Sequence, residues 1–256
     1  MKIKNLKISP TKAKVGFTLT EGATHVNLLP TKVRFGFTLA EVLITLGIIG
    51  IVAAITIPNL IANYQKKQTV TKLQKAISVL NQAYKLAYDD VGEPTPKAAL
   101  DMGAQEYFKQ YWAPYIKASL ICTNSKQCGF KSGNPYIGLN KKSVPFSVVD
   151  TALRTTFYTP DGFLFVIVAG GSMLGGDPVE RRYLVLDING STGPNMLGKD
   201  VFYLTRVTTD GGGIRALGFD KTSDEIDKSC SKSGYGEYCA EKIRRAGWDI
   251  DKSYPW

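Results

Sequence analysis

Gly36-Phe37-Thr38-Leu39-Ala40-Glu41 opens the stretch that decides the fold, because an unbroken apolar run follows it to Ile57 and stops at Pro58. From Phe37 to Ile57 there are 21 residues whose only charge is Glu41. At ~1.5 Å per residue a helix of that length extends about 31 Å, enough to cross the hydrocarbon core of a bilayer. A carboxylate inside such a span is costly, though less so near an end, so Glu41 is expected to have a partner, and a local cation is the natural one. Gly47 and Gly50 weaken the helix but let neighbouring membrane helices approach closely. Pro58 lacks the N–H that a helix interior needs, so a kink or a locally melted turn is expected there.

The basic leader, Gly36, the Phe-Thr-Leu-Ala-Glu after it and the run ending at Pro58 resemble the N-terminal segment of type IV pilins and type II secretion pseudopilins, most closely over residues 31 to 64. The resemblance implies that a prepilin peptidase cuts between Gly36 and Phe37 and methylates the new amine, which creates a cation four residues from Glu41. It also implies that Glu41 of an incoming subunit pairs with the N-terminal amine of a neighbour while the helices bundle into a filament core, and that Pro58 lies where the helix loosens during assembly. The partners so implied are the prepilin peptidase, other pilin or pseudopilin subunits, the inner membrane and the assembly platform. The protein would be a single-pass protein of the bacterial inner membrane before assembly, and then part of a periplasmic or extracellular filament. The rival reading is an uncleaved signal anchor that carries an extracytoplasmic enzyme or binding protein, with Glu41 an edge residue that snorkels to the interface. An ordinary secretory signal fits poorly, since its cleavage site follows the apolar region and here the candidate site precedes it.

The formal charge of +10 would by itself raise nucleic acid or an anionic membrane surface as partners. Its distribution argues against nucleic acid. Residues 1 to 36 hold seven Lys/Arg against Glu21, or +6, and the remainder carries 25 minus 21, or +4, so most of the basicity would leave with the leader. The basic flank favours a cytoplasmic leader, although Lys66, Lys67, Lys72 and Lys75 beyond the span blunt the asymmetry. The leader also holds an echo of the processing segment: residues 10 to 21 match residues 30 to 41 at eight of twelve positions. No apolar run follows this upstream copy, which reads as a decoy or as part of a long, poorly ordered leader.

The expected class is α+β with a pilin-like arrangement: a leader 1–36 that is cleaved, a long helix 37–92 whose part 37–57 spans the membrane, and a globular head 93–256. Beyond Pro58, Val70, Leu73, Ile77, Leu80, Tyr84 and Ala87 recur at three and four residues and predict a helix face that packs on a sheet. Gly92 and Pro94 are the stop signals. A second helix is expected from Ala98 to about Lys117, interrupted near Pro114, and residues 120 to 150 read as loops. Strands are expected at 155–158, 163–168, 183–188, 201–207 and 214–219, joined by turn residues such as Pro160-Asp161-Gly162 into an antiparallel meander. A short helix is expected at 237–246.

Cys122, Cys128, Cys230 and Cys239 all lie in the part that would be exported, where disulfides persist. Three connectivities are possible, and the short spacings favour Cys122 with Cys128 and Cys230 with Cys239. Zinc is disfavoured, because neither spacing is that of structural zinc ligands and no histidine follows. The only histidine, His25, lies in the leader, which removes His-dependent catalysis from the processed chain. The Gly170 to Gly176 run lacks the Gly-Lys-Ser/Thr of a phosphate loop and reads as a flexible connection. No enzyme activity and no required cofactor are therefore expected. The one candidate ion site is Asp187-Ile188-Asn189-Gly190 followed by Gly193-Pro194-Asn195 and Asp200. Its carboxylates and amides suit calcium, with Asp187, Asn189 and Asp200 as ligands. Major pseudopilins are similar in carrying calcium in the loops after their sheet, and the plainer reading of Asn189-Gly190 is a turn.

Overall fold

The computed structural model describes residues 36–150, 152–169, 183–208 and 212–256. The upstream processing-site copy, His25 and the Gly170 to Gly176 run lie outside the described residues. The chain divides after Val52 into two compact units. Helix α1, Leu39–Val91, begins in the first unit, where residues 36–52 are all exposed. Pro58 sits inside α1, and the helix continues through it without a melted turn. A proline removes a single hydrogen bond, and in the adjoining turn the Asn59 side-chain amide donates to the Ile55 carbonyl at 3.4 Å. The helix stops where Gly92 takes φ of 94°, a left-handed conformation that glycine reaches at no steric cost.

In the second unit, Thr69, Val70, Leu73, Ala76, Leu80, Ala83, Tyr84 and Ala87 of α1 are buried, a stripe at spacings of three and four. Two short helices follow, α2 at Pro96–Met102, capped by the Thr95 hydroxyl, and α3 at Ala104–Tyr111. The expected single helix is thus broken at Gly103, which takes φ of 80°, and Pro114 falls in the turn beyond α3. The aromatic face of this region is core: Tyr107, Phe108, Tyr111 and Trp112 are buried.

Among the described residues six antiparallel strands form one sheet in chain order: β1 Leu120–Cys122, β2 Arg154–Tyr158, β3 Leu164–Val168, β4 Tyr183–Asp187, β5 Val201–Val207 and β6 Gly213–Ala216. β1 lies in a stretch expected to be loop; it exists through its pairing with β2, Leu120 opposite Tyr158 and Cys122 opposite Thr156. Side chains alternate between two covered faces. Phe165, Ile167, Leu184, Leu186, Phe202 and Leu204 share a core with α1, α3 and the C-terminal region. Val166, Val168, Val185, Val201 and Tyr203 pack under the irregular segment around Phe130, Tyr136 and Phe146. Burial on both faces explains why β3 reads as a continuous apolar run rather than as polar alternation.

Helix α1 is also tied to the sheet by polar contacts. The Asn81 amide donates to the Ile214 carbonyl at 2.9 Å and accepts from the Ile214 N–H at 2.8 Å, which satisfies both backbone groups of that β6 residue. Lys75 pairs with Asp161 in the β2–β3 turn at 2.9 Å. After the sheet come α4, Ser223–Ser229, and α5, Cys239–Arg245. α4 lies outside the expected elements, although its Thr222-x-x-Glu225 capping box is written in the sequence.

Candidate functional site

Gly36 and Phe37 are both exposed, Phe37 at 87%. Glu41 is held by Thr38. The Thr38 N–H donates to Glu41 Oε2 at 2.9 Å, the Thr38 hydroxyl donates to the same oxygen at 2.8 Å, and the Glu41 N–H donates back to Thr38 Oγ1 at 3.2 Å. This reciprocal capping box satisfies donors that the first turn of α1 leaves without intrahelical partners. Among the described residues no cation pairs with Glu41 within the chain. The Thr38-x-x-Glu41 pattern ahead of an apolar run was the available signal, and a reading of Glu41 as a lone charge passes over it.

The four cysteines form two bonded pairs, Cys122 with Cys128 and Cys230 with Cys239. The first closes a loop at the end of β1. The carbonyl of Cys128 accepts from the Tyr158 hydroxyl at 2.8 Å, and that hydroxyl accepts from the Ser191 N–H at 3.0 Å, so the disulfide loop is linked to the β4–β5 turn. A Cβ at Gly190 would run into the Tyr158 ring, which is the steric reason for glycine there. The second pair joins the residue after α4 to the first residue of α5.

The β4–β5 turn brings Asp187, Asn189 and Asp200 together. β4 ends at Asp187, opposite Val201 at the start of β5, and the Ile188 N–H donates to the Asp200 carbonyl at 2.9 Å. Both carboxylates are buried, Asp187 fully. Asp200 accepts from the N–H groups of Asn195 at 2.8 Å and Met196 at 2.7 Å. Asp187 Oδ1 accepts from the Asn189 N–H at 3.2 Å, and the Asp187 carboxylate also faces the buried Tyr136 hydroxyl, whereas Asn189 Oδ1 and Asn195 Oδ1 are buried acceptors without hydrogen-bond partners. Burial, and then the charge of Asp200, pushes the Asp187 carboxyl well above the usual carboxylate range; burial raises Asp200 as well. The Tyr136 hydroxyl, also buried, is raised by its burial and by Asp187. Two unpartnered amide oxygens beside two carboxylates fit a hard cation, since calcium takes six to eight oxygens from carboxylate, amide and backbone. Among the described residues no group of three or more His, Cys, Asp and Glu could hold a metal, so amide and backbone oxygens would have to complete the set.

Residues 31–57 match the family model described as the prokaryotic N-terminal methylation motif, which is the type IV pilin and pseudopilin signature. Neither the curated proteins nor the solved structures give a match. Such a motif implies processing by a prepilin peptidase and assembly with other pilins, and together with one apolar helix near the N-terminus it suits a membrane-anchored precursor.

Proposed function

We propose, from the pilin signature over residues 31–57, that this chain is a prepilin-like structural subunit. It is cut after Gly36, held in the inner membrane by residues 37–57, and built through its N-terminal helix into a type IV pilus or type II secretion pseudopilus. The observation that supports this best is the motif itself, on a segment whose residues 36–52 are exposed and, apart from Glu41, uncharged. In this reading the methylated amine of Phe37 and the carboxylate of Glu41 pair between subunits, Pro58 marks where the helix loosens, and the head 93–256 remains outside the membrane. Its mechanism is packing and ion pairing rather than catalysis. Mass spectrometry after coexpression with a prepilin peptidase is expected to give an N-methylated Phe37 terminus, and Gly36→Val to leave the leader attached. A leader retained in the presence of active peptidase, or a cut beyond Ile57, overturns the reading in favour of a plain membrane anchor.

A second element belongs to the proposal, supported by the unpartnered acceptors at the β4–β5 turn. Calcium held by Asp187, Asn189 and Asp200, with Asn195 beside them, supplies the charge that two buried carboxylates need in order to ionise together. The ion then braces the β4–β5 turn, to which the Cys122–Cys128 loop is hydrogen-bonded through Tyr158.

A further inference from the structure

An open cleft of about 660 Å³ in the second unit is lined by Asn59 and Lys66 of α1 and by Lys232, Lys242, Lys252 and Trp256 of the C-terminal region. Asp227 is the only acidic side chain among the residues that line it. It pairs with Lys242 at 2.8 Å. Lys66, Lys232 and Lys252 have no carboxylate partner among the described residues. Lys66, Lys232 and Lys252 thus place three ammonium groups around one concave surface, an arrangement that suits an anion.

The placement of the cleft along α1 says which anion. Asn59 lies two residues beyond Ile57 and Lys66 nine, or about 3 Å and 14 Å at helical rise. The polar zone outside each face of a bilayer core is roughly 5 to 8 Å deep. The α1 wall of the cleft therefore begins in the headgroup layer, and a lysine stem reaches back several ångströms to it. Trp256 stands at the same cleft, and this residue type favours the membrane–water boundary. The size suits a whole headgroup, since ligand clefts hold about 300 to 1,000 Å³.

We propose that this cleft binds the phosphodiester headgroup of an anionic phospholipid, so that the head is held down on the membrane through Lys66, Lys232 and Lys252. The inference rests on the reading of residues 37–57 as a membrane span. Alkaline extraction of membranes tests that premise separately: a chain released by carbonate defeats the span itself, whereas a retained chain without lipid preference defeats only the headgroup site.

The test is native mass spectrometry of the full chain in detergent micelles, titrated with phosphatidylglycerol or with phosphatidylcholine of the same acyl chains. Phosphatidylglycerol is expected to be retained preferentially. The triple variant Lys66→Gln, Lys232→Gln, Lys252→Gln is expected to weaken that retention by about a hundredfold, at about fivefold per lysine. Lys117→Gln, Lys126→Gln, Lys131→Gln, which removes as much charge away from the cleft, is expected to retain the lipid. In the wild-type chain, amine-reactive labelling should show Lys232 and Lys252 protected by phosphatidylglycerol and not by phosphatidylcholine, a readout that needs no variant to fold. Equal loss in both triple variants, equal protection by the two lipids, or the same protection by inorganic phosphate alone overturns the proposal.

Discussion

Thr38 and Glu41 cap one another at the start of α1, with the carboxylate accepting both the backbone N–H and the hydroxyl of Thr38. The residue proposed to reach a neighbouring subunit therefore already has a partner inside its own chain, and assembly exchanges one for the other. Two variants separate these roles. Glu41→Gln keeps a side chain suited to capping and removes the charge, whereas Thr38→Val keeps the charge and removes the hydroxyl. If ion pairing drives assembly, membrane insertion and cleavage persist in both, filament incorporation falls sharply in Glu41→Gln and survives in Thr38→Val. Quantification of membrane-bound and filament-associated protein decides this, and normal incorporation of Glu41→Gln refutes the ion-pair role.

Asn81 is expected to be a large contributor to the docking of α1. Replacing it by alanine leaves the N–H and C=O of Ile214 without the amide that now satisfies both. A group left unsatisfied in a part-buried place costs ~1 to 3 kcal/mol. Chemical denaturation should show Asn81→Ala destabilised by about that amount, with Asn81→Asp between it and wild type because the acceptor remains. An unchanged midpoint for Asn81→Ala would show that water replaces the amide at no cost.

Glu241 gives the C-terminal region a pH-dependent clamp. Its buried carboxylate accepts from Arg244 Nε and Nη2, both at 2.7 Å, and from Arg245 Nε at 2.7 Å, and Arg245 also reaches the Lys221 carbonyl at 2.8 Å. Burial alone would raise this carboxyl, but the bonds from the two arginines outweigh it and hold it below its ordinary value of 4.5. A depressed carboxyl adds stability that is fully present above the unfolded value and is lost as pH falls through the folded one. The difference in melting temperature between wild type and Glu241→Gln should be large near neutrality and shrink below about pH 4.5. A difference that stays constant through that window would mean that the carboxylate is not the source.

Calcium should raise the melting temperature of the folded chain and a chelator should reverse it. Binding to the folded state alone contributes ~2.7 kcal/mol at a hundredfold excess over Kd. Asp187→Asn removes one of the two carboxylates and should abolish most of the calcium effect, while Asp161→Asn, in the β2–β3 turn, should not. Scanning calorimetry of the chelated and calcium-loaded protein makes the comparison, and identical curves for wild type would refute the site.

How far each feature can be read from the chain follows the distance over which its cause acts. The membrane span, the processing motif, the α1 stripe and the strands from β2 to β5 depend on residues within a turn or a pleat of one another, so hydropathy period, Gly92 and Pro160-Asp161-Gly162 are enough to find them. The caps at Thr38 and Thr222 were equally local and stood in plain view as Thr-x-x-Glu. The break at Gly103 instead of Pro114 was harder, because a glycine permits a left-handed turn and only the packing of Tyr107, Phe108 and Trp112 requires one. β1 depended on tertiary structure altogether: three residues are too few to show a period, and their hydrogen bonds go to β2, with Leu120 opposite Tyr158. Sequence alone determined that this protein carries an apolar helix with a methylation motif and continues as an antiparallel meander, since both follow from local patterning. Only the tertiary structure decided that both sheet faces are buried, that Asp187 lies beside unpartnered amide oxygens, and that lysines from α1 and the C-terminal region share one cleft, because each depends on chain segments far apart in sequence being packed together.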